Sequence, residues 1–382
     1  NFAMIIVYLS NFFNHHQKPV ADAFYKMTDG NYWFVETANM SEEQKLLGYH
    51  KYEVPYIINY ADDKQKVIHL IREADVVIHG EAPVALVKER LRSGRLTFHD
   101  NERRYKALIK YLKWPIYTYH SLFLNKGYLL CSSAYAARDF GLSGMSAKKC
   151  FKWGYFTEVK NFENIDIIIN RKSNESIVSI LWACRMIDWK HPEMAVVLAQ
   201  KLRDSQVNFK LRFIGRGPLE SEIKKMVSRL QLDDYIEFLG SMAPESVRTY
   251  MEESEIFIAT SDQNEGWGAT VNEAMSSACA VVASHAIGAV PFLIKDGMNG
   301  LVFQSKSSQA LYEEVKWLVD NPAERKRIAR EAYFTMKNEW CAEIASKNFI
   351  QLAKALMAGE ESPILHGPCS KAPIINHTNI LF

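Results

Sequence analysis

Gln263-Asn-Glu-Gly-Trp-Gly-Ala-Thr-Val-Asn-Glu-Ala-Met275, followed by Ala280-Val-Val-Ala-Ser284 and by Pro291 to Gly300, is the stretch whose reading decides the fold. It begins just after Ile256-Phe257-Ile258-Ala259, an apolar run that reads as a buried strand. Gly266 and Gly268 bracket Trp267 in the turn that follows, and from Ala269 the apolar spacing of Val271, Met275 and Ala278 becomes helical. A strand, a glycine turn and a helix start expose a row of backbone N–H groups at the carboxyl edge of a sheet, which is an anion site. Glu265 precedes the turn and Glu273 lies inside the helix. A carboxylate accepts two hydrogen bonds from a vicinal diol, so this pair could hold two sugar rings on either side of a phosphate. Two solvated glutamates flanking an ordinary strand–turn–helix is the competing reading of Glu-Gly-x-Gly taken alone.

Around that stretch the 382 residues are too many for one core, and two domains of roughly 150–200 residues are expected. Apolar residues make up 48% of the chain and aromatics 12%, which marks it as globular, and a net charge of +2 gives no sign of a nucleic-acid binder. Cys131, Cys150, Cys184, Cys279, Cys341 and Cys369 form no Cys-x-x-Cys pair, a distribution expected of reduced thiols in a cytoplasmic protein. No apolar run reaches the roughly 18 residues of a membrane span. Met4 reads as the natural start, and no signal-peptide pattern follows it.

The first half alternates apolar runs with amphipathic ones, the pattern of a doubly wound parallel sheet. Strands are expected at Met4–Leu9, Asn31–Glu36, Val54–Asn59, Asp75–Gly80, Arg95–Asp100 and from Tyr128, with a helix over Pro19–Met27. The loop after the first strand carries Asn11, Asn14, His15, His16 and Lys18, and the fifth strand brings His99 and Asp100 to its end. The polar stretch Phe156–Ser176 reads as a linker. From Lys88 to Lys113 stand nine Lys or Arg against three Asp or Glu, and the region is punctuated by Leu108, Ile109, Leu112 and Trp114. Such a window suits either an anionic membrane surface or a solvated helix face.

In the second half a strand from Ile177 delivers Arg185 and Lys190 to a loop before a helix at Pro192–Leu202. Lys210–Gly215 is a second strand ending in Gly-Arg-Gly-Pro, and Tyr235–Met242 a third. Helices are expected over Gln309–Val319 and from Ala323 to about Lys354, with a bend at Trp340.

The colinear run of Glu273-Ala-Met, Ala280-Val-Val-Ala-Ser, Gly288-Ala-Val-Pro-Phe-Leu-Ile and Asp296-Gly-Met-Asn-Gly-Leu-Val closely resembles the nucleotide-sugar-binding region of retaining GT-B glycosyltransferases of the fourth family, the glycosyl transferases group 1. The resemblance is strongest over residues 177–303. It implies an α/β protein of two Rossmann-like domains facing across a cleft: residues 4–160, residues 176–332, and a helical segment at 333–360 packing back on the first domain. It implies transfer of a sugar from a UDP- or GDP-sugar to an acceptor hydroxyl with retention, no cofactor and no required metal. No Asp-x-Asp motif is present to suggest one.

By the same resemblance Glu265 contacts the donor sugar and Glu273 the ribose hydroxyls. The amides of Gly266, Trp267, Gly268, Ala269 and Thr270 face the sugar and diphosphate. Arg185 and Lys190 face the diphosphate, and Leu239, Gly240 and Met242 hold the base. His99, in Thr-Phe-His, corresponds to a histidine that reaches the donor sugar near the reacting carbon. His191 stands where the family usually has glycine. Asn-His-His-Gln-Lys-Pro resembles a capsule or surface-polysaccharide branch, which makes Asn14, His15, His16 and Lys18 acceptor-side candidates. The implied partners are a nucleotide-sugar donor and a saccharide or lipid-linked acceptor, with the enzyme in the cytoplasm or at the inner face of the membrane. A GT-B epimerase and a non-catalytic nucleotide-sugar-binding protein are the alternatives.

Overall fold

The computed structural model describes residues 4–39, 51–103, 126–173 and 176–376. They form two units: residues through Glu158 together with Glu339–Asn376, and the continuous stretch Val159–Asn338. The first unit is therefore built from two separate pieces of chain and the second from one.

The first unit holds a seven-stranded parallel sheet of β1 (Ile6–Ser10), β2 (Tyr32–Glu36), β3 (Ile57–Asn59), β4 (Val76–His79), β5 (Thr97–Asn101), β6 (Tyr128–Cys131) and β7 (Cys150–Lys152), in the order β3-β2-β1-β4-β5-β6-β7. The central strands are apolar and buried almost throughout, as expected of a parallel sheet covered on both faces. The helix Ala342–Met357 packs on the helix Lys18–Met27. Phe349 drives this contact: its ring is fully buried and meets Phe24 at 5.3 Å and Phe98 at 4.9 Å.

The second unit holds β8 (Val178–Ala183), β9 (Phe209–Ile214), β10 (Ile236–Gly240), β11 (Ile256–Ala259), β12 (Ala280–Ser284) and β13 (Leu301–Phe303), all parallel, in the order β10-β9-β8-β11-β12-β13. The strand order reverses between β8 and β11. At such a switch point the two connections leave in opposite directions and open a crevice at the carboxyl ends of the strands.

Several expectations are revised here. β7 and β13, three residues each, are too short to show a pattern and were not expected as strands. Phe156–Ser176 is not a plain linker, because Ile165–Lys172 is helical and capped by Asn164, whose side chain accepts from the Asp166 N–H. Lys172 is 7% exposed, and its Nζ donates to the carbonyls of Ser277 (2.6 Å), Ala278 (2.9 Å) and Met251 (3.0 Å). The long C-terminal run is two helices, Pro322–Asn338 and Ala342–Met357, broken where Trp340 turns into the core of the first unit and stacks on Phe156 at 6.3 Å.

The basic window is also not one surface. Arg90 is buried and donates to the carbonyls of Ile71, Ala74, Asp75 and Leu96 and to the Thr97 hydroxyl, tying together the segments that lead into β4 and β5. Arg103 is buried against Asp139 at 3.5 Å. Leu108, Ile109, Leu112 and Trp114 lie outside the described residues. Among those described, no helix is long and apolar enough to cross a membrane.

Candidate functional site

The switch point of the second unit brings the candidate residues together. β8 runs into Arg185, which is exposed, and then through a single helical turn at Asp188–Lys190. β11 runs into the loop that carries Glu265. Trp182 of β8 donates its indole N–H to Thr260 Oγ1 at 2.9 Å, and the Thr260 hydroxyl donates to the Lys190 carbonyl at 2.5 Å. The backbone of Lys190 is thus pinned to the end of β11. Its Nζ donates to Glu265 Oε2, with both side chains about five-sixths buried (16% and 15% exposed). The expected diphosphate cation and the expected sugar carboxylate form one ion pair.

The glycine turn has a strict local cause. Gly268 caps the helix Ala269–Ser276 with φ 95°, and a Cβ there would lie 2.6 Å from Ile287 Cγ2. Gly268 has no side chain to accept from the first amides of this helix, and the first turn holds no acidic residue, so the positive end of the helix stands on the loop that also carries Glu265. Trp267 is fully buried and donates to Asn272 Oδ1. Its indole belongs to the core, so only its backbone is available to a ligand. Cys184, partly exposed just after β8, lies near Thr270, Lys190, Glu265 and Glu273, and burial pushes its thiol up. Burial pushes the Glu273 carboxyl up to about 7, opposed by the positive charge of Arg248 from the helix Pro244–Glu253.

The neighbouring strand ends interlock. Gly215 has φ 121°, and a Cβ on it would sit 1.9 Å from the Cys184 carbonyl oxygen; one on Gly217 would sit 2.3 Å from that of Met186. The Met186 N–H donates to Arg216 O at 3.0 Å and the Gly215 N–H to Gly240 O at 2.8 Å. Leu239, Gly240 and Met242, the expected base-binding residues, are partly exposed at this edge, with the Arg216 guanidinium lying over Gly240.

In the first unit, the expectation for His99 is corrected. Its ring is fully buried in β5 rather than presented by a loop. His79 Nε2 meets the Ala82 carbonyl at 2.8 Å and therefore carries a proton; His79 Nδ1 then accepts from His99 Nδ1–H at 3.2 Å. His99 Nε2 keeps a lone pair directed at Gly127, where a Cβ would lie 2.9 Å away. Burial, with His79 beside it, lowers His99 to about 3, so the ring is a neutral core group. The next residue is more polar in its surroundings. Asp100 accepts from Tyr8 Oη at 2.5 Å and from the Ser132 hydroxyl, and burial raises it to about 6.

Asn14 forms the turn before the first helix: its carbonyl accepts from the Gln17 and Lys18 N–H groups and its Oδ1 from the His16 N–H. His15 and His16 lie ring to ring at 3.8 Å, and His16 stacks on Tyr155 at 5.7 Å. Lys18 is tied to Asp22 one turn along its own helix at 2.5 Å.

Sequence reasoning missed Asp262, Arg248 and Lys306. Asp262 is a lone acid at a strand end, with no spacing to mark it. Its Oδ1 accepts from the Asn264 N–H (2.9 Å) and Nδ2 (3.0 Å), and its Oδ2 from Lys306 Nζ (3.1 Å) and His191 Nε2 (3.2 Å).

Residues 164–334 match the family described as glycosyl transferases group 1. An uncharacterized glycosyltransferase of Methanocaldococcus jannaschii is 29% identical over 38% of this chain, and the amylovoran biosynthesis glycosyltransferase AmsK of Erwinia amylovora is 25% identical over 46%. These matches span 40% and 44% of the relatives' own lengths. Among solved structures, HepE of Anabaena in complex with UDP covers 93% of this chain and 100% of its own, with a TM-score of 0.70 at 15% identity. The sucrose-phosphate synthase of Thermosynechococcus elongatus covers 94% and 100%, with a TM-score of 0.67 at 15% identity. The Val159–Asn338 unit is thus a glycosyl transferases group 1 domain, in a chain whose two parallel-sheet units share the GT-B fold.

Proposed function

We propose that this protein is a retaining glycosyltransferase, moving a sugar from a UDP- or GDP-sugar to an acceptor hydroxyl in surface polysaccharide or glycolipid synthesis. The observation that carries the reading is the Lys190–Glu265 pair beside the glycine-capped start of the Ala269–Ser276 helix, at the switch point of the sheet. Arg185, Lys190 and the turn amides stabilise the diphosphate as it departs, which is the charge that grows in the transition state. Glu265 accepts from the sugar hydroxyls once Lys190 turns to phosphate, and Glu273 accepts from the ribose diol. The base lies along Leu239, Gly240 and Met242. With fixed cations and amides in place the reaction is metal-independent. Asn14, His15 and His16 in the first unit serve the acceptor, which is a saccharide or a lipid-linked saccharide.

HepE was solved with UDP and, separately, with UDP-glucose, so UDP-sugars are the donors to try first. The test is a thermal-shift screen of UDP- and GDP-sugars, followed by assay of released nucleoside diphosphate and analysis of the sugar product, each with and without EDTA. Transfer or slow donor hydrolysis that survives EDTA supports the proposal. An epimerised donor, or binding with no bond cleavage under any condition, rejects it. Activity lost to EDTA and restored by manganese or magnesium rejects the metal-free mechanism alone.

A further inference from the structure

His191 takes a left-handed backbone conformation, φ 50° and ψ 54°, at the start of the helix Pro192–Asp204. For a residue with a Cβ this conformation is disfavoured, and glycine would adopt it freely. The structure shows what the imidazole does in return. Nδ1 meets Glu193 Oε1 at 2.8 Å on its own helix, and Nε2 meets Asp262 Oδ2 at 3.2 Å across the switch point. A neutral imidazole has one N–H and cannot donate to two carboxylates. Two carboxylate partners therefore call for the imidazolium, and they raise His191 to about 9 despite partial burial.

We propose that His191 is a positioning residue for the donor site: by bridging Glu193 and Asp262 it holds the loop that carries Lys190 against the loop that carries Glu265. The inference rests on the donor-site reading above. The chain of contacts is continuous. Lys190 is adjacent in sequence to His191, and its carbonyl is held by Thr260. The Asp262 N–H donates to Trp189 O at 2.9 Å, and the Glu265 N–H donates to Asp262 O at 3.0 Å. Asp262 is thus bonded on one side to the residue before Lys190 and on the other to Glu265 itself. The charged groups facing this centre are Glu193 from the helix, Asp262 from the β11 loop, Lys306 from the loop after β13, and the Lys190–Glu265 pair. Lys306 shares Asp262 Oδ2 with His191, so removing the imidazole leaves Asp262 still compensated and the loop able to fold.

The test is calorimetry of UDP and of UMP with wild type, His191→Gly, Asp262→Asn, the double variant and Lys190→Ala, beside an NMR titration of the imidazoles. Glycine suits the backbone at 191, so a loss there cannot be ascribed to strain. UDP affinity should fall about tenfold in each single variant, and the double variant should be no worse than the weaker single, because both break one bridge. UMP, which lacks the second phosphate, should be much less affected. The His191 resonance should remain that of the imidazolium above pH 8 in wild type and lose this in Asp262→Asn. Effects that multiply in the double variant overturn the proposal. So does UDP affinity untouched by His191→Gly while Lys190→Ala weakens it. If Lys190→Ala also leaves UDP binding unchanged, the donor-site reading itself fails and the positioning role falls with it; the titration then still reports whether the bridge exists.

Discussion

The indole N–H of Trp267 donates to Asn272 Oδ1 at 2.8 Å, and both side chains are fully buried. This bond fixes the glycine turn from beneath, because Trp267 and Asn272 lie on either side of Gly268. Asn272→Ala removes the acceptor and leaves a buried N–H, at a cost of about 1–3 kcal/mol. Denaturant unfolding should show the midpoint falling with an unchanged slope. A variant as stable as wild type would mean that the indole finds another acceptor.

Glu273 should give the site a pH dependence of defined sign. Burial raises its carboxyl from the ordinary 4.5 to about 7. Between those values the folded chain holds a proton that the unfolded chain has released, so this group's contribution to stability falls as pH rises through the window. Over the upper part of the same window the carboxylate that accepts from a diol appears. UDP affinity in wild type should therefore improve from pH 6 to pH 8 relative to Glu273→Gln. The difference between the two proteins is the readout, because the terminal phosphate of UDP titrates nearby. Parallel curves would remove Glu273 from the nucleotide site.

Cys184 offers a probe that needs no knowledge of the acceptor. It is partly exposed while the other five cysteines are buried. Burial pushes its thiol up, so the label needs alkaline pH, and there iodoacetamide should reach the partly exposed Cys184 first, as read by peptide mass spectrometry. UDP should slow that labelling severalfold, since the thiol lies near Thr270, Lys190, Glu265 and Glu273. Labelling that proceeds at the same rate with saturating UDP would place the nucleotide elsewhere.

Arg185 and Lys190 should separate binding from turnover. Arg185 is exposed and Lys190 is held by Glu265, so neither supports a core. Arg185→Ala should unfold within about 0.5 kcal/mol of wild type, whereas Lys190→Ala leaves the largely buried Glu265 carboxylate without its cation and should cost more, about 1–3 kcal/mol. Each should lower turnover at saturating donor by a larger factor than it weakens the intact donor, because the leaving diphosphate gains charge only as the bond breaks. Equal factors would assign these cations to binding alone.

Glu273 and its helix were legible because two apolar strands, a glycine pair and a change of period are all written locally. That Lys190 and Glu265 meet follows from strand order, since residues after β8 and after β11 are neighbours once those strands pair. The sequence is silent on which way a side chain faces. His99 ends an apolar run like a loop histidine, yet it turns into the sheet towards His79 and Gly127. Arg90 reads as surface charge and is instead a buried hub for carbonyls, a role set by chain ends that meet only in the fold. Asp262 is one acid among many until the loops of His191 and Lys306 close on it. The short strands β7 and β13 owe their existence to the neighbours they pair with, and three residues leave no period to read.

The two-piece construction of the first unit sets an order of events during synthesis. Val159–Asn338 leaves the ribosome as one uninterrupted stretch and can close its sheet while Glu339–Asn376 is still being added. The first unit, though begun earlier, must wait for the Ala342–Met357 helix to cover Phe24 and Phe98. A chain stopped just after Asn338 would therefore carry a finished second unit behind an N-terminal sheet with Phe24 and Phe98 uncovered, and that earlier-made half is where chaperones and proteases would take hold.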